Sequence, residues 1–190
     1  MTTTAGAAPG PLFRLSPFER KAALTAHVIA SVGWLGADVV LLALGVAGLA
    51  TADVPTRDAV YRTAWLLGPY VLLPFGLLAL LTGVLLGLGT KWGLLRHRWV
   101  VAKLVGTLGA VVAVTFALLP TLHSAYAGVA AGRGPGGAAY SLVAAPSVAL
   151  VLYTAMTVLS YWKPRLGSRP GRATARPSRG RRPPDGASGP

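Results

Sequence analysis

The sequence predicts an all-α fold: a multi-pass transmembrane bundle of four helices with both termini cytoplasmic. Three observations predict it. The chain is 53% hydrophobic and only 12% charged, whereas soluble domains carry about 25% charged residues. The apolar residues gather in four runs, about 24–49, 66–88, 99–119 and 142–162. Each reaches about 20 residues, enough to cross a hydrocarbon core of about 30 Å. Finally, of 18 Lys and Arg residues, 14 lie in the N-terminal segment, the second loop and the tail, and three in the first and third loops. That bias places both ends and the second loop on the cytoplasmic side.

Residues 1–15 are small and Pro-rich and are expected to be disordered. The membrane domain, 16–162, opens at Ser16-Pro17-Phe18-Glu19, where Ser16 suits a helix cap, Pro17 the first turn and Glu19 a capping box. The apolar run that follows is too long for a cleaved signal segment. After it, Pro55-Thr56 offers a stop and then a cap for the second helix, with Arg57, Asp58, Tyr61, Arg62 and Trp65 as an interfacial first stretch. Pro69 and Pro74 are expected to kink or restart that helix. Gly83 and Gly87 form a G-x-x-x-G pair suited to close helix contact. A basic turn carrying Lys91, Trp92, Arg96, His97 and Arg98 leads to the third span. There Ala102, Gly106 and Ala110 make a small-residue packing stripe, and Pro120 is expected to end the helix before His123. A Gly/Ala loop over Gly128 to Ala139 precedes the fourth span, which Lys163-Pro164 stops. Residues 163–190 read as a disordered basic tail. Tyr61, Trp65, Tyr70, Tyr126 and Tyr140 are expected in the outer aromatic belt, and Trp92, Trp99, Tyr161 and Trp162 in the inner one.

Composition also excludes chemistry. With no cysteine, disulfides, zinc thiolates and thiol catalysis are ruled out. The net charge of +13 is not a nucleic-acid signature, because eight of the 18 basic residues sit in the tail and no folded reader accompanies them. The tail is expected to meet anionic lipids. There is no phosphate loop, no Ser/His/Asp order, no His-x-x-x-His pair and no haem-attachment motif. Nothing therefore specifies an enzyme. The Ala, Gly, Leu, Pro and Arg richness fits a bacterial inner-membrane protein, and self-association stays open.

The first span carries the polar groups that matter. His27, Ser31, Trp34 and Asp38 recur at i, i+4, i+7 and i+11, one face of a helix. Titratable groups at bilayer depth are costly and usually face a helix partner or a cavity. His27 and Lys103 enter from the same side to about one turn's depth, with His97 just outside. Together they could serve a cofactor, His27 as ligand, Lys103 pairing an anionic group and Trp34 as a wall. His27 and His97 are the weak metal candidates. The plainer alternatives are a His27 bonded to a carbonyl or hydroxyl and a Lys103 reaching the headgroups. Asp38 lies roughly 16 Å deeper along the axis, at 1.5 Å per residue. It reads either as a proton or cation relay running through Ser31 towards His27, or as a neutral acid bonded to a neighbouring helix.

His27 with Trp34 and Gly36, Thr82-Gly83, and Trp99-Val100-Val101-Ala102-Lys103-Leu104 resemble a group of small bacterial membrane proteins. That group includes the CopD copper-resistance domain and HemJ-type protoporphyrinogen oxidases, together with predicted integral membrane proteins of unknown function, to which the chain is most similar. The stretch from Thr90 to Trp99 carries the likeness most strongly, and about Lys21 to Leu122 is covered. The resemblance implies a four-helix bundle in which His27 and Lys103 attend haem b or a porphyrin. The copper-handling alternative is the weaker one, because two Met and no Cys make a poor soft-metal set. The expectations are thus a haem- or porphyrin-binding membrane protein, a small transporter or proton relay using Asp38, or a structural membrane partner.

Overall fold

A computed structural model describes residues 15–89 and 98–161. The N-terminal segment before Leu15, the turn with Lys91, Trp92 and His97, and the tail lie outside the described residues. Those described form helices throughout, with no strand among them. Helix α1 runs Pro17–Ala50. The second span joins α2 (Val54–Leu67) to α3 (Leu73–Leu88), the third joins α4 (Arg98–Ala113) to α5 (Leu119–Ala130), and the fourth is α6 (Ala138–Tyr161). Four helices are therefore long and apolar enough to cross a membrane.

Local chemistry sets the ends. The Ser16 hydroxyl accepts the Glu19 N–H at 3.2 Å, and the Glu19 carboxylate accepts the Ser16 N–H at 2.8 Å. This reciprocal pair satisfies two N–H groups that a helix start otherwise leaves open. The second helix starts earlier than its apolar run. Its cap is Asp53, not Thr56: the carboxylate accepts the Thr56 N–H at 2.9 Å, and Pro55 sits in the first turn, where no N–H is needed.

Prolines do not end these helices. A π-helical turn, Gly68–Leu72, joins α2 to α3 around Pro69 and just before Pro74. Another, Val114–Leu118, precedes Pro120. Widening the turn to i→i+5 bonding relieves the clash and the lost donor that proline brings. The third span therefore continues through Pro120 to Ala130, which places His123 on α5 rather than in a loop. The chain then reverses in a turn whose Gly132, Gly134 and Gly136 hold φ of 69°, 80° and 59°. Gly128 lies against the Gly134 carbonyl, so a side chain there would collide with backbone.

Around the bundle the spans follow chain order, with α1 packed on the second and fourth spans and diagonal to the third. The buried stripe of α1 is Ala30, Trp34, Ala37, Asp38, Leu41, Gly45 and Gly48. Lipid is as apolar as leucine, so close backbone approach, rather than hydrophobicity, draws such helices together. Gly45 abuts the Leu142 carbonyl of α6, and Gly48 abuts the Tyr61 ring of α2. Large apolar residues such as Ile29, Val32, Leu81, Phe116 and Val151 point outward. Tyr61 departs from the expected outer belt: it is 1% exposed, a core residue held against Gly48. Tyr70 and Tyr140 are exposed, as a belt requires.

Candidate functional site

Two polar centres lie along α1. The first is at His27, in the half of the bundle nearer Pro17. Its Nδ1 lies 3.0 Å from the Ala79 carbonyl and 3.0 Å from the Thr82 hydroxyl oxygen, both on α3. A carbonyl only accepts, so Nδ1 carries the proton and donates. The Thr82 hydroxyl donates its own proton to the Leu78 carbonyl at 2.6 Å, which leaves its oxygen free to accept from the imidazole. Nε2 then holds a lone pair. The His27 ring rests over Gly83, where a Cβ would stand 3.2 Å from Cε1. Lys103, half-buried on α4, lies within electrostatic range of His27 although α1 and α4 are diagonal.

The second centre is Asp38. It is 2% exposed, and its Oδ2 is buried with no hydrogen-bond partner among the described residues. A cavity of about 370 Å³ opens beside it between the third and fourth spans. The walls are chiefly alanine, with Thr121, Ser141 and Tyr153 as the other polar side chains. Thr121 and Ser141 sit towards the Ala130 end, while Asp38 and Tyr153 sit near mid-span. Tyr153 is close enough to feel the Asp38 charge.

Trp34 lies between the two centres as a core side chain. It is 3% exposed, its ring stands 5.1 Å from the Tyr153 ring at 55°, and Gly76 leaves room for its indole edge. Its Nε1 has no acceptor among the described residues. Ser31 does not join this interior. It is exposed, and its hydroxyl donates to the His27 carbonyl of its own helix at 2.7 Å. The sequence face of four therefore divides: His27 reaches α3, Trp34 and Asp38 reach α6, and Ser31 faces outward. His123 is exposed with its ring edge on Trp65, 5.0 Å away, and does not line the Asp38 cavity. Among the described residues no three His, Asp or Glu side chains gather as a metal site.

Sequence reasoning passed over Tyr153 as a neighbour of Asp38. A tyrosine in mid-span, away from either aromatic belt, was the available signal, because its hydroxyl has no water or headgroup to meet there. Thr82 was noticed only as part of a motif; here it is a direct partner of His27. The chain matches no protein-family model, no curated protein and no solved structure.

Proposed function

We propose that this protein is a small carrier or relay in which Asp38 takes up a proton or a cation inside the bilayer. The supporting observation is a carboxyl group at mid-span, 2% exposed, with one oxygen unpartnered among the described residues and an adjoining cavity of about 370 Å³. A charged carboxylate at that depth is costly unless a proton or cation neutralises it. Tyr153, Thr121 and Ser141 supply the remaining polar surface along the cavity. In the proposed setting, a bacterial inner membrane, both ends and the basic tail lie on the cytoplasmic side against anionic lipid. Proteoliposomes with an entrapped pH dye and an imposed potential test the reading. Wild type is expected to pass protons and Asp38→Asn to lose that flux; equal flux in the two overturns it.

A second reading centres on His27, as ligand to a haem or related porphyrin with Lys103 pairing a carboxylate of the ring. The bond from Nδ1–H to the Ala79 carbonyl favours it, since it fixes the tautomer and turns Nε2 into the available donor. Bound haem would supply one-electron redox chemistry. Protein purified from haem-supplied cells is expected to show a Soret band that His27→Ala removes; a colourless preparation refutes this. Wild-type behaviour of Asp38→Asn, His27→Ala and Lys103→Ala alike would leave the structural-partner reading.

A further inference from the structure

We propose that the cavity beside Asp38 is a binding site for a small lipophilic monocation, an aromatic or aliphatic amine or ammonium, that enters sideways from the bilayer between the third and fourth spans. The inference rests on the reading of Asp38 as an ion-accepting group and names the class of ion.

Four observations carry it. Charge comes first: one carboxylate lines the cavity, so one positive charge completes it, and its buried Oδ2 has no hydrogen-bond partner among the described residues. Next, the walls are apolar and small: Ala110, Ala113, Ala117, Ala144, Ala145 and Ala149 face the space with methyl groups. A hydrated metal ion would find too few oxygen ligands there, because hard cations need six or more. An organic cation needs only one counter-charge and apolar contact. Third, Tyr153 lines the space with its ring 5.1 Å from that of Trp34, and an aromatic ring can attract a cation. Last, the opening is lateral. Ala113, Ala117, Ala144, Ala145 and Val148 line the cavity yet are exposed on the outer surface of the bundle, where the surrounding solvent is acyl chain. A solute that partitions into lipid can reach Asp38 without crossing the helix ends.

Size narrows the class. The volume of about 370 Å³ lies at the low end of ligand pockets, roughly 300–1,000 Å³. At about 30 Å³ for each water-sized group, roughly a dozen non-hydrogen atoms fit. Benzyltrimethylammonium is of that size and bears a fixed charge. Neopentylbenzene is its neutral counterpart, with carbon in place of nitrogen.

The full chain in lipid nanodiscs is titrated with each by calorimetry, against empty nanodiscs. Saturable binding of benzyltrimethylammonium is expected, weakened about tenfold or more in Asp38→Asn, as for a lost attraction between opposite charges. Asp38→Glu is expected to retain binding, which separates charge from shape. Ala145→Phe, which grows into the groove from an exposed position, is expected to weaken it as well. Equal binding of neopentylbenzene, or unchanged binding in Asp38→Asn, would mean that the groove takes apolar chains alone and overturns the proposal. Absence of saturable binding overturns it too. If proton flux still depends on Asp38 in that case, the relay reading survives and only the ligand class fails; if neither appears, both fall.

Discussion

Gly45 joins α1 to α6, and replacing it measures how that contact is built. A Cβ added at Gly45 would stand 2.6 Å from the Leu142 carbonyl oxygen, 2.9 Å from its carbon and 3.1 Å from Val143 Cγ2. Comfortable contact between carbon atoms begins near 3.5 Å, so α6 must retreat by roughly 0.5–1 Å in Gly45→Ala. The first two obstacles are backbone and cannot rotate aside. Overpacking of this kind costs about 1–3 kcal/mol. It is set against the roughly 0.5–1 kcal/mol that Ala gains over Gly inside a helix. Gly36 supplies the control, because nothing lies within 4 Å of its missing Cβ, so Gly36→Ala keeps the helical gain alone. Gly106 supplies a second: its Cβ would meet only the end of the Met156 side chain, which can swing away.

Unfolding of the bicelle-reconstituted protein by SDS, followed by tryptophan fluorescence, ranks the three. Gly36→Ala is expected to be the most stable and Gly106→Ala near wild type. Gly45→Ala should fall about 1–3 kcal/mol below Gly36→Ala, roughly a 5- to 150-fold change in the folding equilibrium. If Gly45→Ala matches Gly36→Ala, the two helices do not meet that closely at Gly45.

Three further outcomes follow from single groups. The Tyr61 hydroxyl is buried without a hydrogen-bond partner among the described residues. Tyr61→Phe is therefore expected to be neutral or stabilising, whereas Tyr61→Ala costs about 3–5 kcal/mol; a large loss in Tyr61→Phe by the same SDS assay would reveal a bond to the hydroxyl. Bonds from the Thr56 hydroxyl and then its N–H hold the Asp53 carboxyl below its ordinary range, so its capping contribution is present above the unfolded-state value near 4 and is lost as pH falls through the lower folded value. Amide protection at Thr56, corrected for intrinsic exchange at each pH, should drop in that acid window in wild type and be low throughout in Asp53→Ala; a pH-independent value argues against the cap. Reporters fused to the two ends should appear on the same, cytoplasmic face, and opposite faces would undo the charge-based orientation.

The four spans were legible because lipid forces the pattern: an unsatisfied backbone there is so costly that a long apolar run has to be helical. The start of α1 was legible for an equally local reason, since Ser16 and Glu19 satisfy one another. The burial of α1 was legible only in part. His27, Trp34 and Asp38 do face neighbours, but Ser31, on the same arc by spacing, turns outward. Spacing fixes the angle around a helix and not the width of the buried strip, and in a membrane hydropathy does not mark that strip because both sides are apolar. Small residues mark it instead, as Gly45 and Gly48 do. Pro120 misled because a proline reads as a helix end unless the preceding turn is known to be widened. Tyr61 misled because aromatic residues near a loop fit a belt and a core equally well. The nearness of Asp38 to Tyr153 depends on which helices touch, and no local pattern in either span carries that information.

The same small residues explain why a cavity should exist at Asp38. Where α1 meets α6, Gly45 lets backbone and backbone close, and where α4 meets α6, Gly106 admits Met156. Between these two seams Ala110, Ala113 and Ala117 look across to Ala144, Ala145 and Ala149. The Gly106 contact sets how closely the third and fourth spans approach, and beyond it methyl groups are too short to bridge the gap. Leucines there would fill the gap and gain dispersion contacts that the alanines forgo. On the proposed reading they would also close the groove through which a proton or cation is to reach Asp38. On that reading, alanine at these positions and aspartate at 38 are one arrangement, in which short side chains leave the groove beside the acid open. Ala113→Leu should accordingly stabilise the bundle in SDS titrations while lowering Asp38-dependent proton flux. A variant that gained stability with flux intact would show that ions reach Asp38 by some path other than this groove.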